Sequence, residues 1–305
     1  MFMTEIETKD INLAMEAAGH DFTVEKHPIK TDNGIEIPDH MAVIDINNDK
    51  YLGTVGKTWE PVQPSEIYSL AEELIESTDG TITGGFNMLG GSILGIQFNL
   101  AQREYVSGDV NNLNFVMLSS FNGMYGISGS AIIDRLACLN QCNASSKFYN
   151  LRHTKNVRNR MSVVKEMLKF YKKEIESFDE KMMKMVGKRM NEQDAVNWFK
   201  SLFPKPKSPR AERKLDNQVL IFIDCLRSGR GSEISGVKGT SYGAFQALTE
   251  YINHYRSTRI HNGRDEDEVR YQTIHFGSGN TLTQKGLNTL SEMDMEFDES
   301  DSLID

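Results

Sequence analysis

Twelve residues of this sequence carry the two kinds of side chain that bind single-stranded nucleic acid. Cations contact the phosphates of such a strand, and flat aromatic rings stack on its bases. Lys57, Arg103 and Arg135 can each instead serve an internal ion pair, for example Arg103 with the cross-strand partner of Glu104, and that alternative stays open. The set is densest in residues 114–160, where an aromatic turn is followed by a basic exit. The candidates are Lys57, Trp59, Arg103, Tyr105, Phe121, Tyr125, Arg135, Arg152, His153, Lys155, Arg158 and Arg160.

The charges of the chain are sharply segregated. The net charge is −9, yet residues 1–146 hold 7 Lys or Arg against 20 Asp or Glu, and residues 147–230 hold 21 against 10. Residues 231–305 hold 6 against 13, and the last 15 residues hold seven acidic and no basic side chains. This pattern favours a basic binding face and an acidic tail. The alternative is a long exposed helix whose Lys-rich face is merely solvated.

No motif of the sequence predicts catalysis. The spacing of Cys138 and Cys142 is not that of a zinc site, and the histidines form no HExxH pair. A G-x-S-x-G nucleophile motif is also absent. The segment GSGNT at 277–281 resembles a fragment of a phosphate-cradling loop, but it lacks the Gly-Lys-Ser/Thr that completes one. We therefore expect a protein that is not an enzyme and uses no metal or cofactor.

The first half of the chain has the pattern of strands around one amphipathic helix. Ser65 is a plausible N-cap for a helix whose apolar positions recur at three and four residues. Gly90-Gly91 is typical of a tight hairpin turn. Weak helical spacing occurs at 11–18. Strands are predicted at 42–46, 51–55, 81–89, 92–100 and 114–119, the last three forming a β-meander.

Helical spacing dominates the second half. The spacing within 131–143 indicates a transition from strand to helix, and 154–190 is the longest helical pattern, with a basic opposite face. The Pro-Lys-Pro-Lys-Ser-Pro segment at 204–209 is typical of a linker or exposed loop. Further helices are predicted at 192–203, 213–226 and 245–255.

The pattern predicts an α+β fold: an antiparallel β-meander packed on helices, a long basic helix and a disordered acidic C-terminal tail. We divide the chain into an N-terminal segment (1–37), an α+β domain (38–285) and the tail (286–305). No apolar run is long enough for a membrane span, and residues 1–10 lack the features of a signal peptide. Three cysteines without a regular framework fit a reducing compartment. These features indicate a cytoplasmic protein without a membrane partner.

Five segments, in order, carry a resemblance to a known family: LGTVGKTWEPVQ, NFVMLSSFNG, DRLACLNQCNAS, LRHTKNVRNRM and GTSYGAFQALTEYINHYR. Over residues 38–285 the chain resembles the phage/plasmid-like family, a domain of unknown function. It departs from the family pattern in three places. Phe121-Asn122-Gly123 stands where His-Asp-Gly is usual, Leu139-Asn140-Gln141 replaces a Gln-Asn-Thr-type run, and Tyr242 replaces a tryptophan.

The family resemblance implies a bacteriophage or mobile-element origin and no established activity. The order of elements is also similar to that of the single-strand annealing proteins of recombination, which is a likeness of architecture only. In those proteins a twisted β-meander packs on a helix and lines a basic groove in an oligomeric ring.

Taken together, the residues and the resemblance lead to one expected function and one alternative. The expected function is a phage single-stranded-DNA-binding or annealing protein that supports DNA replication or recombination as a homo-oligomer in the host cytoplasm. Its acidic tail would contact a replication or recombination protein. The alternative is a phage protein that binds and inhibits or redirects a host protein through its acidic faces.

Overall fold

The computed structural model of the protein describes residues 3–145, 149–162, 164–258 and 264–293. They form an α+β fold with two antiparallel sheets, which confirms the expected fold class. The strands are β1 (Met3–Thr8), β2 (Val24–Lys30), β3 (Glu36–Asp45), β4 (Lys50–Gly56), β5 (Thr81–Met88), β6 (Ile93–Glu104), β7 (Val110–Ser120), β8 (Ile127–Arg135), β9 (Asn140–Asn143) and β10 (Tyr149–Leu151).

The larger sheet runs in the order β1-β5-β6-β7-β8-β10, and β9 also pairs with β8. Its centre is the expected meander, in which β5, β6 and β7 are joined by short turns. Gly90 and Gly91 both have positive φ angles, of 64° and 88°, as their tight turn requires. The smaller sheet, β2-β3-β4, contains the predicted hairpin of 42–46 and 51–55.

The described helices follow the predicted pattern in most places. They are α1 (Ile11–Ala17), α2 (Pro64–Thr78), α3 (Val157–Met161), α4 (Val164–Val186), α5 (Glu192–Ser201), α6 (Pro209–Ser228), α7 (Ser241–Glu250), a π-helical turn (Tyr251–Tyr255), α8 (Glu266–Phe276) and α9 (Ser278–Glu292). The segment 204–208 is an exposed loop between α5 and α6. These two helices pack together, with the rings of Phe199 and Phe222 stacked at 4.3 Å.

Both faces of the larger sheet are covered. Ile96, Phe115 and Met117 face the main core with the helices, whereas Val116 and Ile132 face a smaller apolar cluster that Tyr271 of α8 covers. Successive side chains of a strand point to opposite faces, so a sheet covered on both sides has apolar residues at consecutive positions.

This two-sided burial explains one wrong prediction. Residues 131–143 are not a transition to a helix but the end of β8, a turn with Leu139 at φ 56°, and β9. Apolar residues at consecutive positions suit a buried strand and a buried helix equally well, so periodicity does not separate the two.

Other boundaries also differ from the predictions, and α6 and α7 each begin four residues before the predicted helices. The N-cap of α2 is Gln63, not Ser65, because Gln63 and Glu66 form a capping box. The long pattern at 154–190 is divided between α3 and α4. Helix α9 continues to Glu292, so residues 286–292 of the expected tail are helical, whereas 294–305 lie outside the described residues.

Candidate nucleic-acid interface

Two segments distant in sequence lie side by side at one edge of the molecule. The backbone N–H of Glu60 donates to the carbonyl of His153 at 3.2 Å, and Nδ1 of His153 lies 3.1 Å from the carbonyl of Glu60. A carbonyl can only accept, so Nδ1 carries the proton and donates. The Trp59 and His153 rings stack with centroids 4.8 Å apart. The turn after β4 is thereby fixed to the chain that enters α3.

His153 is buried and uncharged, not a phosphate contact on the surface. Its relative exposure is 5%, and burial lowers its pKa to about 4. Trp59 is 9% exposed, so its indole packs in the core and presents no open face for a base. These two candidates position the edge and do not form its surface.

Five cations surround this junction, and we call them the basic edge: Lys57, Arg152, Lys155, Arg158 and Arg160. All five are exposed. With the residues that the structure describes, Lys57, Arg152, Lys155 and Arg160 form no ion pair. Arg160 donates from Nη2 to the hydroxyl of Thr154. Chain position and these contacts place the five cations around the junction, and their role in binding stays a prediction.

Arg158 differs from the other four because it is anchored to α2. Its Nε lies 2.6 Å from Oε1 of Glu66, its Nη2 lies 3.0 Å from Oε2, and Nη2 also donates to the carbonyl of Pro61. Partial burial opposes the ionisation of Glu66, but the hydrogen bonds from Arg158 and from the Gln63 backbone lower its pKa overall. Arg158 thus fixes α3 beside α2.

Arg103 and Tyr105 lie near the end of β6 and are bound to Asp179 of α4. Arg103 Nε is 3.2 Å from Asp179 Oδ2, and the Tyr105 hydroxyl donates to Oδ1 at 2.5 Å. Tyr105 is only 8% exposed. The internal ion pair left open for Arg103 is present, although its partner is on α4 and not on a neighbouring strand.

Arg135 is an internal residue. Its guanidinium contacts both carboxylate oxygens of Asp109, at 2.7 and 3.0 Å, and donates to the carbonyls of Arg230 and Gly231. The Tyr242 hydroxyl donates to the same carboxylate at 2.8 Å. Burial alone would lower the pKa of Arg135, but Asp109 raises it above its usual value. Two of the quoted sequence segments, at 134–145 and 239–256, therefore meet in the core.

The remaining two aromatic candidates also pack against other rings of the protein. Phe121 is fully buried and packs edge-on against Phe22. Tyr125 is half-buried, with its ring 5.5 Å from that of Phe276. Among the twelve candidates, the aromatic side chains thus pack in or against the interior, and the exposed cations are the basic edge and Arg103, which is paired with Asp179.

Sequence reasoning missed a second set of exposed cations, on the loop 204–208 and on α6. The signal was present in the Pro-Lys-Pro-Lys segment, which composition alone marks as a linker. Among the described residues, no group of three or more His, Cys, Asp and Glu side chains is arranged to hold a metal ion. No described helix combines the length and the apolar character that crossing a membrane would require.

Comparison with known proteins gives one match. No curated protein and no solved structure matches the chain. A family model described as "Domain of unknown function (DUF932)" matches residues 51–275, which include β4 to α8, the basic edge and the Arg135–Asp109 pair. Because this match extends over most of the chain, the protein belongs to the DUF932 family, a domain of unknown function.

Proposed function

We propose that the protein binds single-stranded DNA along the basic edge, without catalysing a reaction. The observation that carries the proposal is the grouping of five exposed cations at one edge, four of which form no ion pair with the described residues. Cations that are not neutralised by carboxylates attract phosphates and release the counterions of the strand. The Trp59–His153 stack holds the two segments that carry them.

The geometry favours phosphate contacts over base stacking. Four of the aromatic candidates, Trp59, Tyr105, Phe121 and His153, are less than 10% exposed. Binding should therefore be nearly independent of sequence and should weaken steeply with salt. For single strands the logarithm of affinity changes with the logarithm of salt by about −0.7 per neutralised phosphate.

Strand annealing, assembly into a homo-oligomer and a role in phage replication or recombination are finer parts of the same proposal. Annealing and oligomerisation rest on the order of elements, which is similar to that of the single-strand annealing proteins. The phage role rests on the resemblance to the phage/plasmid-like family and on the acidic composition of the last 15 residues. Such a tail would recruit a replication or recombination protein. These parts follow only if binding to single strands is established first.

The test is a titration of labelled oligo(dT) followed by fluorescence anisotropy, between about 50 and about 200 mM salt. One variant changes Lys57, Arg152, Lys155 and Arg160 together to Gln. The matched control changes four exposed lysines elsewhere, Lys172, Lys173, Lys184 and Lys200, to Gln. Both variants lose four positive charges, so the change in net charge is the same, although two of the basic-edge residues are arginines.

We expect the basic-edge variant to lose most of its affinity and to flatten the salt dependence by about 2 to 3 units of slope. The control should lose much less. Absent or salt-insensitive binding of oligo(dT) by the unaltered protein would contradict the proposal. Equal losses of affinity in the two variants would contradict it as well. A host protein captured in stoichiometric amount after nuclease treatment, with no binding of single strands, would support the alternative role as a host-protein ligand.

A further inference from the structure

A basic cleft of about 700 Å³ lies outside the basic edge and shares no residue with it. Its walls come from the loop after α5, the first half of α6, residues 256–258 and the junction of α8 with α9. Sites for small molecules typically enclose about 300 to 1,000 Å³. The cleft therefore has the size of a site for a single small ligand.

The charges in this cleft are of one sign. Lys205, Lys207, Lys214 and Arg256 line it, and no Asp or Glu is among the described residues of its walls. None of the four forms an ion pair with another described residue. The three lysines are exposed, so solvent screens their repulsion, but four cations around one space still create a positive potential that attracts an anion.

Arg256 gives an independent indication of a ligand. Its Nη1 is inaccessible to solvent and has no hydrogen-bond partner in the described structure. Partial burial lowers its pKa, and the nearby Tyr251 opposes this shift only in part. A buried donor without a partner is destabilising, so such groups in native proteins usually have a ligand, a water or a function.

The backbone places Arg256 at this cleft through an irregular turn. The π-helical turn Tyr251–Tyr255 ends at Arg256, whose backbone N–H donates to the carbonyl of Tyr251 at 2.7 Å. Single π-helical turns within helices are often found at functional sites. This one ends its helix, and the chain becomes extended at Arg256, in the wall of the cleft.

Helix α9 begins in the wall of the same cleft, at Ser278. Its N-cap is Gly277, which provides no side chain to bind the first backbone N–H groups. Such groups, together with the helix dipole, favour an anion. The hydroxyls of Ser278, Thr273 and Thr258 are also in the wall. The segment 277–281, which resembles part of a phosphate-cradling loop, thus lies beside the cations that its sequence lacks.

Most of the remaining wall is apolar and includes Phe203, Leu215 and Val269, beside the polar Gln218 and Ser257. Phe203 packs against Phe199 with ring centroids 5.1 Å apart, while its half-buried side chain also borders the cleft. A ligand that fills this space has a phosphate for the cations and a flat apolar body for this wall. We propose that the cleft binds a nucleoside phosphate.

The test is isothermal titration of the full-length protein with AMP, ATP, inorganic phosphate and adenosine at up to about 1 mM. We expect binding of the nucleotides, at least about tenfold weaker binding of phosphate, and weaker binding still of adenosine. Equal affinity for inorganic phosphate would overturn the nucleoside part, and equal affinity for adenosine would overturn the role of the cations. No binding of any probe would overturn the site.

Two variants assign any binding to the cleft. R256Q combined with K214Q removes two cations, whereas S278D adds a carboxylate at the first position of α9, where it favours the helix but repels an anion. Each should weaken nucleotide binding by about tenfold or more, and K200Q, on an exposed residue outside the cleft, should not. Unchanged nucleotide affinity in S278D would contradict the proposal.

Oligo(dT) binding separates this site from the basic edge. We expect S278D to leave oligo(dT) binding unchanged and the basic-edge variant to leave nucleotide binding unchanged. If S278D instead abolishes the binding of oligo(dT), the cleft is part of a strand-binding surface and not a separate nucleotide site.

Discussion

The imidazole of His153 lies flat on the indole of Trp59, with the ring centroids 4.8 Å apart and the planes inclined by 23°. Both rings are buried, and Nδ1 of His153 donates to the carbonyl of Glu60. The stack joins the two chain segments that carry the basic edge. The protonation state of one histidine is therefore linked to the structure that holds the five cations.

We expect the protein to lose stability as the pH falls from about 6.5 to about 4. Burial lowers the pKa of His153 and His20 to about 4 and that of His275 to about 3. The unfolded chain, with ordinary histidine pKa values, binds more protons in this window, so acid favours unfolding. Each histidine contributes at most about 1.4 kcal/mol per pH unit.

Urea unfolding followed by tryptophan fluorescence measures this dependence. His153→Gln keeps a polar side chain but no longer titrates, so its stability should fall less steeply with acid than that of the unaltered protein. His27→Gln changes an exposed histidine and serves as the control. Identical pH dependence in the His153 variant and in the unaltered protein would contradict the buried, neutral state.

The ionisation of Asp134 should change the stability with pH in the direction opposite to that of the histidines. Burial raises its pKa to about 7, although the neighbouring Gln141 amide and the hydrogen bond that Asn114 donates to Oδ2 oppose the rise. The folded protein then holds a proton that the unfolded chain releases, and stability falls as the pH rises from about 4 to about 7. Its Oδ1 atom is inaccessible and has no hydrogen-bond partner among the described residues.

Asp134→Asn removes this ionisation while keeping the shape of the side chain. We expect the variant to be more stable than the unaltered protein at pH 8, by about 1 to 3 kcal/mol, because no buried charge remains. The difference should shrink towards pH 5. The measurement is the free energy of unfolding in urea at both pH values. A variant that is less stable at pH 8 would show that the carboxylate is instead stabilised there.

The sequence predicts the exposed part of the candidate site better than the buried part. Arg152, Lys155 and Arg160 follow one another in a polar segment, and such residues are rarely buried. Arg135 has the same charge, but its partners Asp109 and Tyr242 are distant in sequence. Nothing local shows that a folded chain brings these three together.

The helices α8 and α9 are also not predicted from the local sequence. Composition at Asp265–Glu268 indicates a solvated turn, yet Asp265 accepts a hydrogen bond from the Glu268 backbone and caps α8. Acidic residues in a first helical turn were the available signal. The segment around Gly279 has the composition of a loop. A Cβ added at this position would lie 2.6 Å from the carbonyl oxygen of Thr273, so a larger residue does not fit there. This glycine lets α9 start close to the end of α8.

The Arg135–Asp109 pair should be essential to stability. Removing one partner of a buried ion pair typically costs about 3 to 5 kcal/mol, because the other charge is left buried and unpaired. We expect this loss for Arg135→Met. Tyr242→Phe removes one hydrogen bond to Asp109 and should cost about 1 to 3 kcal/mol. Urea unfolding measures both, and a loss below that of Tyr242→Phe in the arginine variant would contradict the role assigned to the pair.

The pairing of Phe86 with Gly95 fixes the contact between β5 and β6. The two are direct cross-strand partners, and a Cβ at Gly95 would overlap the ring of Phe86, which is 1% exposed. We expect Gly95→Ala to destabilise the protein by about 1 to 3 kcal/mol through overpacking. In the background of Phe86→Leu the same substitution should cost less, since the ring is gone. Equal costs in both backgrounds, measured by thermal unfolding, would contradict this account.

Glu66 limits the number of cations that the basic edge can offer to a strand, because it holds Arg158 by two hydrogen bonds. Glu66→Gln removes a negative charge beside the edge and weakens the hold on Arg158, while the amide oxygen can still accept from the Gln63 backbone. The exposed pair contributes at most about 1 kcal/mol to stability, so the variant should remain folded. If the edge binds single-stranded DNA, the variant should bind oligo(dT) more tightly, and the slope of affinity against salt should steepen by about 0.7. Arg158→Gln should have the opposite effect, and no change of affinity in either variant would show that this corner of the edge does not contact the strand.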